Sequence, residues 1–360
     1  MTIYIFLFIF LLIMLIISKD KSANQVIHNI VFYVCIGVLT VFACLRAPSV
    51  GKDTSSYINL FFEYGAVPWK NILSYSLYSG YETGYILYNK ILYALFPYPQ
   101  TITAANSVLF ALFMYGFLKK FSKDCIFSLY IFYAFGYYQT SFNIVSSLIA
   151  AMIIYYNMDA FYSNKLKAAF IVILAFLFHR ASIVLIILAF IEKIPLTKRR
   201  IAATVILAIL GAMFYNNLLP VLSFLAPTEY QDYLERNTGD NGLILIFHVL
   251  IIIFLRVYRS VIKKKNLLIE GKEFLPNTIN WLILLEICIF IIALRAQKFS
   301  RLAYMFTPAY FIYIPEAVSQ VRSANNRLLL RFSLIVLLGL QYFLRLSINN
   351  IGYTVPYLIR

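Results

Sequence analysis

Apolar stretches about as long as a bilayer is thick recur from one end of this chain to the other. A helix needs roughly 20 apolar residues to cross the hydrocarbon core of a membrane. In lipid, backbone groups must be satisfied within the protein, which favours helices. The stretches that approach this length are 3–18, 28–46, 101–118, 125–141, 143–162, 201–219, 243–262, 279–295, 302–319 and 328–346. They predict an all-α polytopic membrane protein.

Composition excludes a soluble fold. The chain is 62% apolar and 13% charged, with a mean hydropathy of +0.80, whereas soluble domains are about half apolar and a quarter charged. No repeat or low-complexity linker divides the sequence. We therefore expect one transmembrane domain over residues 1–360, with extracytoplasmic loops at 47–83 and 220–242.

The net charge of +16 comes from 31 Lys and Arg against 15 Asp and Glu. Most of the basic residues lie in short loops between apolar stretches, as the positive-inside rule describes, and they attract anionic lipid. We therefore expect membrane lipid, and not nucleic acid, as a partner. The four cysteines lack the spacing of metal ligands, and no metal is expected.

Two segments leave the topology open. The stretch 84–96 is short and carries Asn89 and Lys90, and 168–190 carries His179 and Arg180 at its middle. If neither crosses, there are ten spans, and the basic loops fall inside with 47–83 outside. If both cross, there are twelve spans and two lysine-rich loops change sides. We prefer the first topology, in which 168–190 is re-entrant or broken at His179. Such breaks occur where they line a cavity inside the protein.

The first polar motif begins where the second apolar stretch ends, with Arg46, Gly51, Asp53 and Tyr57, and this outward segment closes with Glu82. Gly51 permits a tight turn, and the motif supplies a fixed cation beside a carboxylate. An interfacial anchor followed by a helix cap accounts for the same residues.

The second motif is a polar patch around Asn143, in a short connection between two apolar stretches. Small polar residues there also serve close helix packing. On the residues alone, packing is the favoured interpretation.

The third motif is the pair His179 and Arg180 within an apolar stretch. Ionisable residues at membrane depth are costly and indicate function, and histidine carries a proton near neutral pH. The structural alternative is a hydrogen-bonded pair that holds helices together.

The fourth motif runs from Arg295 through Lys298 and Arg301 to Tyr304. Its loop lies outside in either topology, so its three cations run against the positive-inside rule. An anionic ligand accounts for them, because arginine binds phosphate through paired hydrogen bonds and lysine acts as a compact charge. Pairing with Asp53, Glu82 or the acidic loop 220–242 is the alternative.

Together the motifs favour a substrate with a phosphate or pyrophosphate near the outer interface and an apolar tail. Their order resembles the EpsG family of Wzy-like bacterial polysaccharide polymerases. The resemblance rests on Arg46…Gly51-x-Asp53…Tyr57, Glu82-x-Gly84-Tyr85, Phe142-Asn143…Ile149-Ala150, Phe178-His179-x-x-Ser182 and Arg301…Tyr304. Where members of that family usually carry Arg-Gln after the asparagine, this chain has Ser146 and Ser147.

The resemblance implies a membrane glycosyltransferase that polymerises oligosaccharide repeat units of O-antigen, capsule or exopolysaccharide. The growing glycan would pass from undecaprenyl pyrophosphate to the next lipid-linked unit. The site would face the periplasm or exterior of the bacterial cytoplasmic membrane. The resemblance implies a flippase and a chain-length regulator as partners, and no cofactor.

For such a transfer, Asp53, Glu82 and His179 are the candidate catalytic bases, with Asp53 preferred because it lies on the outward segment. The candidate substrate-binding residues are Arg46, Tyr57, Asn143, Arg180, Arg295, Lys298, Arg301 and Tyr304. Two other functions remain open. One is a flippase of lipid-linked oligosaccharide, and the other is a transferase that uses polyprenyl-phosphate sugars or modifies sugars by acylation.

Overall fold

The computed structural model describes residues 1–18, 25–225, 242–264 and 277–359. These residues are 82% helical and contain no strand, which confirms the all-α polytopic fold. Most of the acidic loop 220–242 lies outside the described residues. The number of crossings and the single transmembrane domain stay predictions.

The chain divides into two compact units. The first comprises Met1–Leu185 and Ser333–Arg360. Its helices are α1 (Thr2–Ile17), α2 (Gln25–Leu45), α3 (Thr54–Ala66), α4 (Ile72–Ser79), α5 (Thr83–Leu95), α6 (Pro99–Phe121), α7 (Cys125–Ala134), α8 (Tyr137–Thr140), α9 (Val145–Tyr156), α10 (Ala160–Ser163) and α11 (Lys165–Phe178), with short 3-10 turns at Trp69–Asn71 and Asn350–Gly352. The predicted outward segment 47–83 is therefore largely helical.

The second unit is Ile186–Phe332. Its described helices are α12 (Leu188–Ile191), α13 (Lys198–Met213), α14 (Tyr215–Leu225), α15 (Gly242–Lys264), α16 (Asn277–Ala293), α17 (Phe299–Tyr304) and α18 (Pro308–Ser319). A last helix, α19 (Ala324–Asn349), begins in this unit and continues into the first, and the 3-10 helix Arg180–Ile187 runs from the first unit into the second.

Among the described residues, four helices are long and apolar enough to cross a membrane. They are Gln25–Leu45, Pro99–Phe121, Gly242–Lys264 and Ala324–Ile348. Five further apolar helices have only 10–17 residues. One reason is that a predicted apolar stretch can be divided between two helices, as in 125–141. Helix α7 ends at Ala134, Gly136 has a left-handed φ of 68°, and α8 follows. Glycine adopts that conformation without steric cost and commonly ends helices.

Helix α5 occupies the doubtful stretch 84–96. Its 13 residues span roughly 20 Å at the α-helical rise, less than the about 30 Å of a hydrocarbon core. The Nζ atom of Lys90 donates to the carbonyl oxygen of Gly65 at 3.0 Å and lies 4.8 Å from the ring centroid of Trp69. The buried lysine is thus accommodated by residues of the segment 47–83.

The other doubtful stretch, 168–190, is broken at His179, which confirms that prediction. Helix α11 ends at Phe178, His179 is extended (φ −162°, ψ 119°), and the 3-10 helix begins at Arg180. The break frees backbone amides that a continuous helix would have bonded. One of them, that of Arg180, donates to the Glu82 carboxylate.

The C-terminal segment folds over the loop that follows α2, a contact that the sequence did not predict. The amide of Ala47 donates to the carbonyl oxygen of Leu358 at 2.8 Å, and that of Gly51 donates to Tyr353 at 3.1 Å. The amide of Lys52 donates to Gly352 at 3.0 Å. These bonds fix the backbone of the first polar motif.

Candidate functional site

Asn143 joins the first and second polar motifs. Its Oδ1 accepts a hydrogen bond from the amide of Asp53 at 3.3 Å, and its Nδ2 donates to the carbonyl oxygen of Gly352 at 3.1 Å. Gly51 has a φ of +96°, and a Cβ there would lie 3.1 Å from Asn143 Oδ1. The turn therefore requires glycine, and Asn143 positions Asp53. The packing interpretation of the second motif misses this role.

An open cleft lies beside this turn. It is lined by Pro48, Ser49, Gly51, Lys52, Ser55 and Tyr353. The Tyr353 ring is 64% exposed, and Lys52 Nζ lies 5.8 Å from its centroid. The serine hydroxyls, the Lys52 ammonium group and the exposed Tyr353 side chain are groups that suit the binding of a sugar. The half-buried Asp53 follows Lys52 directly.

Glu82 and His179 form a second polar cluster in the first unit, besides the turn that Asn143 holds. His179 Nδ1 lies 3.1 Å from Glu82 Oε1, and the amide of Arg180 donates to the same oxygen at 3.0 Å. Glu82 is 9% exposed and the His179 side chain 21%. The carboxylate thus caps the 3-10 helix and lies against the Nδ1 side of the imidazole. An imidazole placed in this way presents Nε2 as its other functional atom.

Burial alone would raise the pKa of the Glu82 carboxyl. The hydrogen bond from His179, its charge when protonated, and the Arg180 amide lower the pKa more strongly, so the net shift is downward. Charged Glu82 is therefore the form that this centre favours. An ionised carboxylate held by two donors is better suited to orienting His179 than to taking a proton itself.

Gly84 brings α5 against the end of α11. A Cβ at Gly84 would lie 2.7 Å from the carbonyl oxygen and from the Cβ of Leu177. No side chain fits there without a backbone shift. This close approach allows Glu82, at the start of α5, to reach His179.

Tyr57 on α3 packs against Tyr85 on α5. Their ring centroids are 6.2 Å apart in an edge-to-face arrangement, and Tyr85 also packs against Phe178. The Nδ2 atom of Asn106 donates to the hydroxyl of Tyr85 at 3.1 Å. Tyr57 is half-buried, so its role is partly that of packing.

Arg46 is buried, with 3% of its surface exposed. Its guanidinium carbon lies 4.4 Å from the ring centroid of Phe142, and Nη1 donates to Ser107 Oγ at 2.9 Å. Arg46 is thus not the exposed interfacial anchor that the alternative interpretation described. The positions of Ser146 and Ser147, where the resemblance would expect Arg-Gln, are buried at the start of α9.

The fourth motif lies in the second unit. Arg295 is exposed, Lys298 precedes α17, and Arg301 and Tyr304 are half-buried on that helix. The Tyr304 ring packs edge-on against Phe290 at 5.6 Å. The structure brings these four residues into one short helical turn and its approach. Their action on the substrate stays a prediction.

A buried cluster in the second unit belongs to none of the four polar motifs. His248 Nδ1 lies 2.8 Å from Glu286 Oε1, and these side chains are 1% and 0% exposed. Thr307 Oγ1 donates to Glu286 Oε1 at 3.0 Å, and the Tyr310 hydroxyl donates to Oε2 at 3.2 Å. The sequence does contain a signal for this cluster, because Glu286 is a carboxylate in the middle of an apolar stretch.

In the part of the chain that the structure describes, no group of three or more His, Cys, Asp or Glu side chains could hold a metal ion. The candidate site in the first unit comprises Asp53, which follows the cleft residue Lys52, His179 beside Glu82, and the buried Arg46.

The fold is all-α, and four of its described helices are long and apolar enough to span a membrane. These features define a multi-pass membrane protein. The profile of the EpsG family matches residues 29–359, nearly the whole chain. The chain belongs to the EpsG family. No curated protein and no solved structure gave a significant match.

Proposed function

We propose that this protein is a membrane glycosyltransferase that polymerises lipid-linked oligosaccharide repeat units in a bacterial cytoplasmic membrane. Membership of the EpsG family supports a role in polysaccharide synthesis. The observation that carries the proposal is the His179–Glu82 pair at a helix break. It provides a candidate base in the same compact unit as the cleft that Lys52 and Tyr353 line.

In the proposed reaction, a hydroxyl of the incoming lipid-linked unit attacks the anomeric carbon of the growing glycan. A new glycosidic C–O bond forms while the bond from that carbon to the pyrophosphate oxygen breaks. The hydroxyl proton passes to His179 Nε2, and lipid pyrophosphate leaves with the bonding electron pair. General-base catalysis of this kind contributes about 10²–10⁴-fold.

His179 suits the role of base better than Asp53 or Glu82. Glu82 already accepts from the Arg180 amide and lies against His179, so it acts as a positioning residue. Asp53 is held by its backbone amide beside the open cleft, where a carboxylate would bind sugar hydroxyls. This assignment reverses the order expected from the sequence, which preferred Asp53.

Stabilisation of the leaving pyrophosphate needs cations. Arg46 and Arg180 can supply such charge in the first unit. Binding of substrate by Arg295, Lys298 and Arg301 of the second unit is a separate prediction. Asn143 and Tyr57 support the turn and the wall of the site. Under this proposal the site faces the exterior, where a flippase delivers repeat units and a regulator sets chain length.

The test is to express each variant in a strain from which the gene has been deleted. The length distribution of the surface polysaccharide is then measured. His179→Ala and Asp53→Asn are expected to leave mainly single repeat units. Asp159→Asn is the matched control, because Asp159 pairs with Lys120 in an exposed ion pair away from these motifs, and such pairs contribute little. Full-length polymer from His179→Ala and Asp53→Asn at normal protein levels refutes the proposal. Loss of all surface product on deletion indicates a flippase instead.

A further inference from the structure

We infer that α4 and the 3-10 turn before it form an in-plane helix whose outer face is embedded in the interfacial region of the outer leaflet. This stretch runs from Trp69 to Ser79 and belongs to the predicted outward segment 47–83. The inference assigns a lipid contact to residues that none of the four polar motifs contains. It does not depend on the proposed reaction, because it concerns where the segment lies in the bilayer.

The outer face of this stretch is apolar and exposed. Trp69, Leu73 and Leu77 follow one another at intervals of four residues, which places them on one side of a helix. Each of the three is more than half exposed, and Tyr78 is 92% exposed. An exposed apolar stripe of this kind marks a surface that contacts another molecule or a membrane.

The opposite face of α4 is already occupied by the protein. Ile72 is buried in an apolar cluster with Tyr64 and Ile86. Tyr75 packs edge-on against Tyr64, with the ring centroids 6.1 Å apart. The helix is therefore attached to the first unit by its buried face. The exposed stripe is left for a different contact.

Length excludes the alternative that this stretch crosses the membrane. Helix α4 has eight residues and spans roughly 12 Å at the α-helical rise, whereas a hydrocarbon core is about 30 Å thick. Its neighbours α3 and α5 have 13 residues each and are also too short. Both of them pack against α6, which is long enough to span. Three short helices thus gather beside a membrane-spanning one.

A second apolar stripe lies on α5, which packs against α4. Leu87, Ile91 and Leu95 also recur at intervals of four residues, and each is at least 40% exposed. Two neighbouring helices that cannot cross the bilayer thus expose apolar faces. A lipid leaflet, which is present along the whole side of a membrane protein, accounts for both faces.

The residue types indicate the interfacial region rather than the hydrocarbon core. Tryptophan and tyrosine concentrate at the membrane–water interface, because each ring is apolar while its N–H or O–H group stays hydrated. Trp69 and Tyr78 lie near the two ends of the stretch, with Leu73 and Leu77 between them. Lys70 is exposed, and the stretch 69–79 contains no acidic residue. A basic, aromatic and leucine-containing surface suits a leaflet that contains anionic lipid.

The position of α4 connects the leaflet to the cluster of Glu82 and His179. Ser76 Oγ donates to the carbonyl oxygen of Tyr81 at 2.6 Å and lies 2.8 Å from Thr83 Oγ1. Glu82 lies between these two residues in the chain, immediately before α5. An embedded α4 thus fixes the depth of Glu82 relative to the outer leaflet.

The experiment measures the depth of Trp69 by fluorescence quenching of the full-length protein in vesicles of phosphatidylcholine and phosphatidylglycerol. The chain has two tryptophans, so Trp281→Phe leaves Trp69 as the single emitter. The quenchers are lipids brominated near the headgroup end of the acyl chain, lipids brominated near its methyl end, and aqueous iodide. We expect headgroup-end bromines to quench Trp69 most strongly, because an interfacial helix lies at the headgroup–acyl boundary.

The matched control is Trp69→Phe, which leaves only Trp281. That residue is 8% exposed and donates from Nε1 to the carbonyl oxygen of Ile194 at 2.7 Å. Its buried ring should be quenched less by the headgroup-end bromines than Trp69 is. If Trp281→Phe does not yield a monodisperse protein, the difference between the wild type and Trp69→Phe gives the Trp69 signal.

A second variant tests the stripe itself and leaves Trp69 in place. Leu73→Asn/Leu77→Asn, combined with Trp281→Phe, should lose most of the bromine quenching of Trp69 and gain quenching by iodide, because the face that enters the leaflet becomes polar. Ser74→Asn in the same background is the control, since Ser74 is an exposed polar residue of the same helix. It should change neither signal.

Four results would overturn the inference. Strongest quenching by methyl-end bromines would place Trp69 in the hydrocarbon core, and strongest quenching by iodide would place it in water. Protection from all three quenchers would show that a second copy or another protein covers the stripe. Unchanged quenching in Leu73→Asn/Leu77→Asn would show that the stripe does not hold Trp69 in the leaflet. The proposed function fails separately, because its test measures polymer length and not depth.

Discussion

His179 Nδ1 lies 3.1 Å from Glu82 Oε1, and the amide of the next residue, Arg180, donates to the same oxygen. One carboxylate thus performs two tasks, since it orients an imidazole and replaces the backbone partner that the helix break removes. The helix break and the His179 imidazole are consequently parts of one arrangement. Variants of Glu82 separate the two tasks.

Glu82→Gln keeps an acceptor for the Arg180 amide but removes the negative charge beside His179. We expect polymer synthesis to fall by about tenfold or more, because the imidazolium formed during proton transfer loses its partner. Glu82→Ala should in addition lower the melting temperature, since a backbone amide loses its acceptor. The exposed Glu63→Gln in α3 is the control. Equal polymer length and equal melting temperature in all three variants would contradict this account.

Stability should depend on pH through Glu82. Its pKa is lowered in the folded protein by His179 and the Arg180 amide, despite burial. A lowered carboxyl pKa adds stability that is present above the unfolded value of about 4.3 and is lost as the pH falls through the folded value. Melting curves of the wild type and Glu82→Gln between pH 7 and pH 3, in the same detergent, should therefore converge at acid pH. Curves that stay parallel over that range would show no such linkage.

Gly51→Ala should destabilise the turn that carries Asp53. Gly51 has a φ of +96°, and a Cβ would lie 2.8 Å from Thr54 Oγ1, so we expect a loss of about 1–2 kcal/mol together with shorter polymer. Gly37→Ala is the control, because a Cβ there meets nothing within 4 Å and alanine favours the helix. Thermal melting and polymer length check both variants. Equal melting temperatures for the two would refute the strained-turn argument.

The sequence predicted those features that depend on local chemistry. The membrane fold followed from apolar runs, and the break at His179 followed from an ionisable pair that a continuous apolar helix would not accommodate. Gly51 was identified as the residue of a tight turn. In each case the signal lies within a few residues of the feature itself.

Features that join distant parts of the chain were not predictable in this way. The contacts of Leu358 and Tyr353 with the loop after α2 are made by backbone groups, which carry no sequence signature. From the sequence alone, Asn143 is interpreted as a packing residue. Its hydrogen bond from the Asp53 amide is found only in the structure. The pairing of Glu82 with His179 likewise depends on the close approach that Gly84 allows.

Variants of the fourth motif test whether cations of the second unit bind the substrate. Arg301→Ala should shorten the polymer if the arginine binds pyrophosphate, and Arg301→Lys should restore part of it, because lysine keeps the charge but not the paired hydrogen bonds. The exposed Arg322→Ala in the same unit is the control. Polymer length is read from the surface polysaccharide. A distribution unchanged by Arg301→Ala would remove Arg301 from the site.

The cluster around Glu286 should show how much a buried polar network contributes to the stability of the second unit. Glu286→Leu leaves His248, Thr307 and Tyr310 without their acceptor, so we expect a loss of about 3–5 kcal/mol. The double variant His248→Leu/Glu286→Leu should recover part of that loss, because replacing both partners by apolar groups avoids an unpaired buried charge. The exposed Glu192→Gln is the control. Denaturation in a fixed detergent measures each variant, and a double variant as unstable as the sum of its single variants would show that the two residues are not coupled.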